Sequence, residues 1–239
     1  MRQVRDTTGR FSLRPHYEPL ELDRACERLL SDFFRPTHGE IPTPILTDDL
    51  TRLIERDTSD FDPGANLRSY GHDVEGVTEF SSTKKPRVRI SAELAYDERR
   101  ENRYRTTLTH EYGHVHFHSY LFAMEPPGGE MFDGKSSSKQ IQVCKREAMI
   151  NAPQIDWMEW QAGYVCGSLL MPISAFRRVV GAYQLAHNLF GPVAFGSLDA
   201  TALIELVRKT FLVSTDAARV RLTKLDFLAA QDRGRSLFG

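Results

Sequence analysis

His110-Glu111-Tyr112-Gly113-His114 is the stretch from which the rest of the chain is read. Apolar and aromatic residues before it (Tyr104, Leu108) and after it (Val115, Phe117, Leu121) recur at helical spacing. On a helix, residues four apart lie one turn above each other, so His110 and His114 present two imidazoles to one point. Two imidazole nitrogens about 2.0–2.1 Å from a common centre make half of a tetrahedral zinc site. Glu111 lies about 100° further round the helix. There it reaches a water at the metal rather than the metal itself, which is the place of a general base. Gly113 costs roughly 1 kcal/mol against Ala in mid-helix. It predicts that something, such as a strand or a substrate, approaches the backbone closely at that point.

The surrounding chain sets bounds on this reading. Its 239 residues suffice for one large domain or a domain with an appendage. A hydrophobic share of 41% and a charged share of 26% belong to an ordinary soluble globular protein, and no run of 18 apolar residues spans a membrane. Met1 to Arg14 holds four arginines and no apolar core region, so it does not read as a secretory signal. Three widely spaced cysteines (Cys26, Cys144, Cys166) fit a reducing compartment, and a cytoplasmic location is expected. The net charge of −1 conceals segregation: ten acidic residues face three arginines from Glu40 to Glu79, and seven basic face four acidic residues from Glu205 onward. A local basic patch is therefore compatible with the composition.

Taken in order, residues 1–15 read as a mobile, arginine-rich arm, and Pro19 to Phe34 as an amphipathic helix with Cys26 in its core face. Pro36 to Pro44 reads as a linker, and a second helix starts at Thr47. Asp57 to Asn66 is turn-rich; Val74 to Phe80 and Arg87 to Ile90 alternate as strands. Arg87 to Ser91 is expected at a sheet edge beside the motif helix, where it could hold an extended peptide or simply serve as an ordinary strand. The motif helix runs from Glu98 to about His118. Glu125 to Ser138 reads as a flexible insertion, and Lys139 to Ala148 as an extended segment. Asp156 to Pro172 is apolar all round and reads as a buried helix that Pro172 ends. Ile173 to Leu189 gives another helix. Leu198 to Phe211 and Ser214 to Leu225 form a pair resembling a helix-turn-helix in outline, with Ser214 as the N-cap of the second helix.

A catalytic zinc needs a third protein ligand and an open position. In the pattern H-E-x-x-H-x-x-G-x-x-H the third ligand is a nearby histidine. Here Phe117 stands in the place of that glycine and Tyr120 in the place of that histidine, which excludes the pattern. A glutamate from a later helix is the alternative. Glu159 is the outstanding candidate, an acid between Trp157 and Trp160 at the start of an apolar helix. A buried carboxylate is costly without a charge to meet. A surface glutamate favoured by the helix dipole is the competing reading, and Asp156 fits that role better.

His110-Glu111-x-x-His114 with His118 four residues on, then Glu159-x-x-Ala162 and Leu169-Leu170-Met171-Pro172, resembles the ImmA/IrrE family of bacterial metallopeptidases. The similarity covers roughly Thr47 to Leu225, including the Phe211-Leu212-Val213-Ser214…Ala217…Arg221-Leu222 pattern. The resemblance implies an α+β, mostly helical, zincin-like fold. In it a small antiparallel or mixed sheet lies beside the motif helix, and a helix-turn-helix-like pair stands at the C-terminus. The division it implies is an N-terminal arm and helix over 1–45, the metallopeptidase domain over 46–190 and the C-terminal helical module over 191–239. It implies Zn2+ held by His110, His114 and Glu159 in gluzincin fashion, with Glu111 as the catalytic base. It further implies cleavage of a helix-turn-helix transcriptional repressor, releasing genes of mobile elements, DNA-damage responses or phage defence. Two features depart from the family pattern: the spacer of 44 residues between His114 and Glu159 is long, and residues 1–45 have no counterpart.

Several accessory roles follow as expectations. Tyr164, His116 and His118 are candidates for stabilising an oxyanion, with His118 placed a turn beyond the ligands as a supporting or packing residue. Lys145 and Arg146 favour a thiolate at Cys144, which could occupy the fourth zinc position and hold the enzyme latent, as in members of the family linked to phage defence. A buried strand cysteine is the simpler reading. Arg208, Lys209, Arg219, Arg221 and Lys224 could contact single-stranded DNA as an activator, although a solvated basic face is the favoured reading. The competing function is a non-catalytic regulator that binds a partner protein or DNA. Intact ligands and an intact Glu111 speak against it. A broad-specificity peptidase fits poorly with the cytoplasm.

Overall fold

The structure is a computed structural model, and it describes residues 1–124 and 156–229 together with the backbone alone of 140–145. The expected insertion at 125–138 lies outside the described residues. A hairpin of β1 (Arg2–Arg5) and β2 (Leu13–His16) precedes α1 (Pro19–His38) and α2 (Thr47–Asp57). Then β3 (Asp60–Ala65), β4 (Val74–Phe80) and β5 (Arg87–Ser91) lead through the short α3 (Ala92–Ala95) and a 3-10 turn at Glu98–Arg100 into α4 (Glu101–Met124). After β6 (Gln140–Lys145) come α5 (Trp157–Leu170), α6 (Ile173–Ala186), β7 (Val193–Ala194), α7 (Leu198–Phe211), α8 (Thr215–Lys224) and β8 (Leu228–Ala229). The architecture is α+β, mostly helical with small sheets.

The main sheet runs β3-β5-β4-β6 and is mixed: β3 and β5 are parallel, while β4 is antiparallel to both of its neighbours. Two expectations are corrected here. β5 is an interior strand, so the Arg87 to Ser91 edge is already paired on both sides; the edges among the described residues are β3 and β6. The turn-rich Asp57 to Asn66 segment contains β3. Pro63 and Gly64 fall where the β3–β5 register shifts between Asp62 and Ala65, so the breakers mark an irregularity rather than the absence of a strand.

α4 is the central helix. From Arg105 to His118 every side chain is buried except His116. It lies between β4, itself buried along its whole length, and α5. Gly113 explains the second contact. A Cβ there would stand 3.1 Å from Ala162 Cα, so the close approach expected at this glycine is present and is made by helix α5.

Buried cations tie the remaining helices to this centre. Arg105 donates to the Ile45, Leu212 and Phe211 carbonyls at 2.9, 3.1 and 3.3 Å. It thereby satisfies carbonyls that the end of α7 leaves unpaired, just where Leu212 turns left-handed at φ 53°. Asp23 on α1 accepts from Tyr164 at 2.9 Å, Ser168 at 2.7 Å and Arg221 at 2.6 Å. Arg221 also lies over the Tyr164 and Phe176 rings. One core runs from Leu22 on α1 through α4 and α5 to Leu228, so all three expected segments share it.

Residues 1–15, expected as a mobile arm, instead form a packed hairpin. Asp6 accepts from the backbone N–H groups of Thr8 and Phe11 and closes the turn. Phe11 enters a cluster with Phe80, Phe122, Trp157 and Met158. Apolar content in the hairpin is low, and one buried ring with a side-chain-closed loop anchors it. α1 likewise continues through Pro36 to His38, into the expected linker. No single described helix is long and apolar enough to cross a membrane.

Removing one member of a buried ion pair strands the other. Arg221→Met is expected to lower unfolding stability by about 3–5 kcal/mol, and Asp23→Leu added to it should recover much of the loss. Urea unfolding of the two variants checks this; additive losses would show that the pair is not coupled.

Candidate metal centre

One helix carries three of the relevant side chains and α5 carries the fourth. His110 Nε2 and His114 Nε2 stand 3.2 Å apart. The Glu159 carboxylate spans both, with Oε2 3.0 Å from His110 Nε2 and Oε1 3.1 Å from His114 Nε2. Both imidazoles are fully buried and Glu159 is 5% exposed. Asp156 caps α5 by accepting from the Glu159 N–H, so the helix-start role belongs to Asp156 and Glu159 is free to point inward.

These residues fit a metal ion. Ligand atoms held 2.0–2.1 Å from a tetrahedral centre stand roughly 3.3–3.4 Å from one another. The observed 3.0–3.2 Å separations are close to that spacing. Two imidazole nitrogens and a carboxylate oxygen form the donor set of borderline divalent cations, zinc among them.

Glu111 stands beside this cluster. Its Oε2 accepts from Thr78 Oγ1 at 2.5 Å, while its Oε1 is buried with no partner. A methyl group at Gly76 on β4 would overlap the Glu111 carboxylate, so the strand lacks a side chain where the glutamate sits. Burial raises the Glu111 pKa against the opposing charges of His114 and His110. Burial acts the same way on Glu159. There the charge of His114 and the hydrogen bonds from both imidazoles prevail and hold the carboxyl well below its usual range. At His114 burial favours the neutral ring, yet the neighbouring Glu159 carboxylate raises the pKa. Metal and proton compete for the same nitrogen, so metal uptake weakens as pH falls through that raised value.

Compared with family models, with curated proteins and with solved structures, the chain matches none.

The accessory expectations divide. His118 adjoins the ligands, its Nδ1 lying 3.0 Å from His114 Nδ1, and burial with the nearby His114 charge pushes its pKa well down. Tyr164 does not serve the metal, because its hydroxyl is committed to Asp23 on the other side of α5. His116 is the exposed residue of this stretch and stacks on Tyr112, away from the ligands. The backbone of Cys144 lies across from Gly76 in the β4–β6 register. Its side chain lies outside the described residues.

Among the proposed phosphate contacts, Arg221 is corrected: it is 2% exposed and paired with Asp23, closed to a nucleic acid. Arg208 and Lys209 pair with Glu205, and Arg219 with Asp216. Lys224 is exposed, with its ammonium over the Tyr164 ring.

Gly76, Thr78 and Gln161 were missed in the sequence. A glycine inside an apolar strand is the signal that could have drawn attention to Gly76. Nothing local marks Thr78, since threonine is ordinary in strands.

Wild-type protein is expected to bind one zinc per chain. Glu159→Ala should weaken binding by more than about 100-fold, beyond the range of supporting-residue changes. Competition with a chromophoric chelator measures both, and equal affinities would remove Glu159 from the ligand set.

Proposed function

We propose that the chain is a zinc-dependent endopeptidase of the gluzincin type, with a zincin-like fold, that cleaves a helix-turn-helix transcriptional repressor and so derepresses a stress, DNA-damage or phage-defence response. The observation that carries the peptidase reading is the convergence of His110, His114 and Glu159 beside a Glu111 carboxylate whose Oε1 has no partner. The repressor as substrate rests on the resemblance of the His110–His114, Glu159–Ala162 and Leu169–Pro172 segments to the ImmA/IrrE family.

Zinc in this site supplies Lewis acidity that polarises a scissile carbonyl and acidifies water. The chain's own residues handle the proton. Glu111 Oε1 takes it from the attacking water and passes it to the leaving amine, the double role of a general base and acid. The hydrogen bond from Thr78 keeps the other oxygen fixed, so a single oxygen faces the reaction. Burial raises the carboxyl's pKa, the direction that suits a group which must both accept and return a proton.

The test is proteolysis of a helix-turn-helix repressor by the full-length chain, with casein digested alongside. Wild type is expected to cut the repressor and spare casein. Glu111→Gln should keep zinc and lose about 100- to 10,000-fold in rate. Zinc-loaded wild type that cuts neither protein would favour a non-catalytic regulator, and cutting both would favour a broad peptidase.

Latency through Cys144 is part of the same reading. Its place opposite Gly76, the position that leaves room for Glu111, supports it. Cys144→Ser is expected to raise basal repressor cleavage, and unchanged basal cleavage would remove the latency. Single-stranded DNA as activator is left with the exposed Lys224 and with cations that already have carboxylate partners. Stimulation of cleavage at low salt decides it, since phosphate contacts are strongest there.

A further inference from the structure

A metal can bind His114 Nε2 only if that nitrogen carries no proton, so the ring must hold its proton on Nδ1. What fixes that proton can be followed outward from the site. His114 Nδ1 lies 3.0 Å from His118 Nδ1. His118 Nε2 lies 3.0 Å from Gln161 Oε1. Gln161 Nε2 lies 2.9 Å from the backbone carbonyl of Pro15, in β2 of the N-terminal hairpin. His114, His118, Gln161 and Pro15 are all buried, and each contact is direct.

The far end of the chain sets the direction. A carbonyl oxygen only accepts, so the Gln161 amide turns its NH2 to Pro15 and its oxygen to His118. That oxygen also only accepts, so His118 carries its proton on Nε2. A neutral His118 then offers a bare Nδ1, which accepts from His114 Nδ1–H. When the ring gives up its second proton to a metal, Nε2 is therefore the nitrogen left bare, facing His110 and Glu159. With the Gln161 amide reversed, His118 would donate from Nδ1 and His114 would keep its proton on the ligating nitrogen.

We propose that Gln161 and His118 are positioning residues which, keyed by the Pro15 carbonyl, hold His114 in the tautomer that binds metal. Ligating histidines ordinarily find their second partner in one step, at a carboxylate, carbonyl or water. Here the carbonyl lies two side chains away, on the hairpin that the resemblance to the peptidase family does not cover. Docking of that hairpin and metal affinity are therefore linked, and by reciprocity zinc should stabilise the docked hairpin. The inference rests on the metal-centre reading and extends it.

The experiment uses the full-length chain and zinc. Two-bond proton–nitrogen correlations on nitrogen-15-labelled histidines report tautomers directly, and His118 is expected with its proton on Nε2. Chelator competition gives zinc affinity. His118→Leu should bind zinc about 10- to 100-fold more weakly. His118→Gln, which keeps an acceptor toward His114 and a donor toward Gln161, should recover most of that loss. Melting of the metal-free variants separates folding from ligation. A role in packing alone predicts that the apolar leucine does at least as well as glutamine beside Trp157. His118 protonated on Nδ1, or zinc affinity unchanged in His118→Leu, overturns the relay while leaving the metal centre standing. Wild type that takes up no zinc overturns both.

Discussion

The contact between α4 and α5 at Gly113 and Ala162 is the constraint on which the site depends. Helices packed through ordinary side chains stand 8–10 Å apart. Two imidazoles on one helix and a carboxylate on the other meet here within 3.0–3.2 Å. Glu159 lies one turn before Ala162, and His110 and His114 flank Gly113, so the small pair sits amid the ligands and sets their separation. The opposite side of α4 is arranged the same way, with Gly76 vacating the strand where Glu111 lies. Two missing side chains thus locate the helix between sheet and partner helix. A Cβ at either would push ligands or base out of place before it touched either chemically.

Such a site is destabilising by itself. Three polar side chains that aim at one point are buried, and a Glu111 oxygen and His110 Nδ1 have no partner. The Glu159 carboxylate offsets part of that cost by pairing with His114, an arrangement that needs one acid ionised and one ring protonated. The lowered acid loses its contribution as pH falls through its own pKa. The raised ring loses its contribution as pH rises through its pKa. The pair therefore stabilises the metal-free protein only between these limits. A cation takes over the same three atoms, and its binding free energy then adds to folding stability. The stability of the rest comes from the shared apolar core, within which Arg105 and the Asp23–Arg221 pair satisfy buried polar groups.

Legibility in the sequence followed the range of the interaction. The H-E-x-x-H helix, the capped α5 and the paired α7 and α8 are local patterns, and they stand within a few residues of where periodicity and capping put them. Glu159 was legible because an acid in an apolar helix demands a partner. β3 was hidden because its pairing with β5 overrides the turn signals of Pro63 and Gly64. β5 read as an edge because its charged residues suit one, whereas Arg89 and Arg87 are in fact paired with Glu79 and Asp60. The arm at residues 1–15 looked mobile for lack of apolar residues, since Phe11 is its one buried ring and the arm's hydrogen bond with Gln161 spans 146 positions.

Charge marks the other limit of legibility. A run of arginines in a tail looks like a phosphate-binding face because sequence shows cations and hides their partners. Arg208 and Arg219 meet acids three residues earlier on the same helix, where pairing could be anticipated. Arg221 meets Asp23 across 198 positions, and Gln161 meets Pro15 across 146. No window of sequence contains either pair. Both lead from segments that looked like appendages into the helix that carries Glu159 or its neighbours. A buried polar group must find a partner wherever the fold supplies one. The termini supply them here, which makes the first residues of the chain part of the support for a site more than 90 positions away.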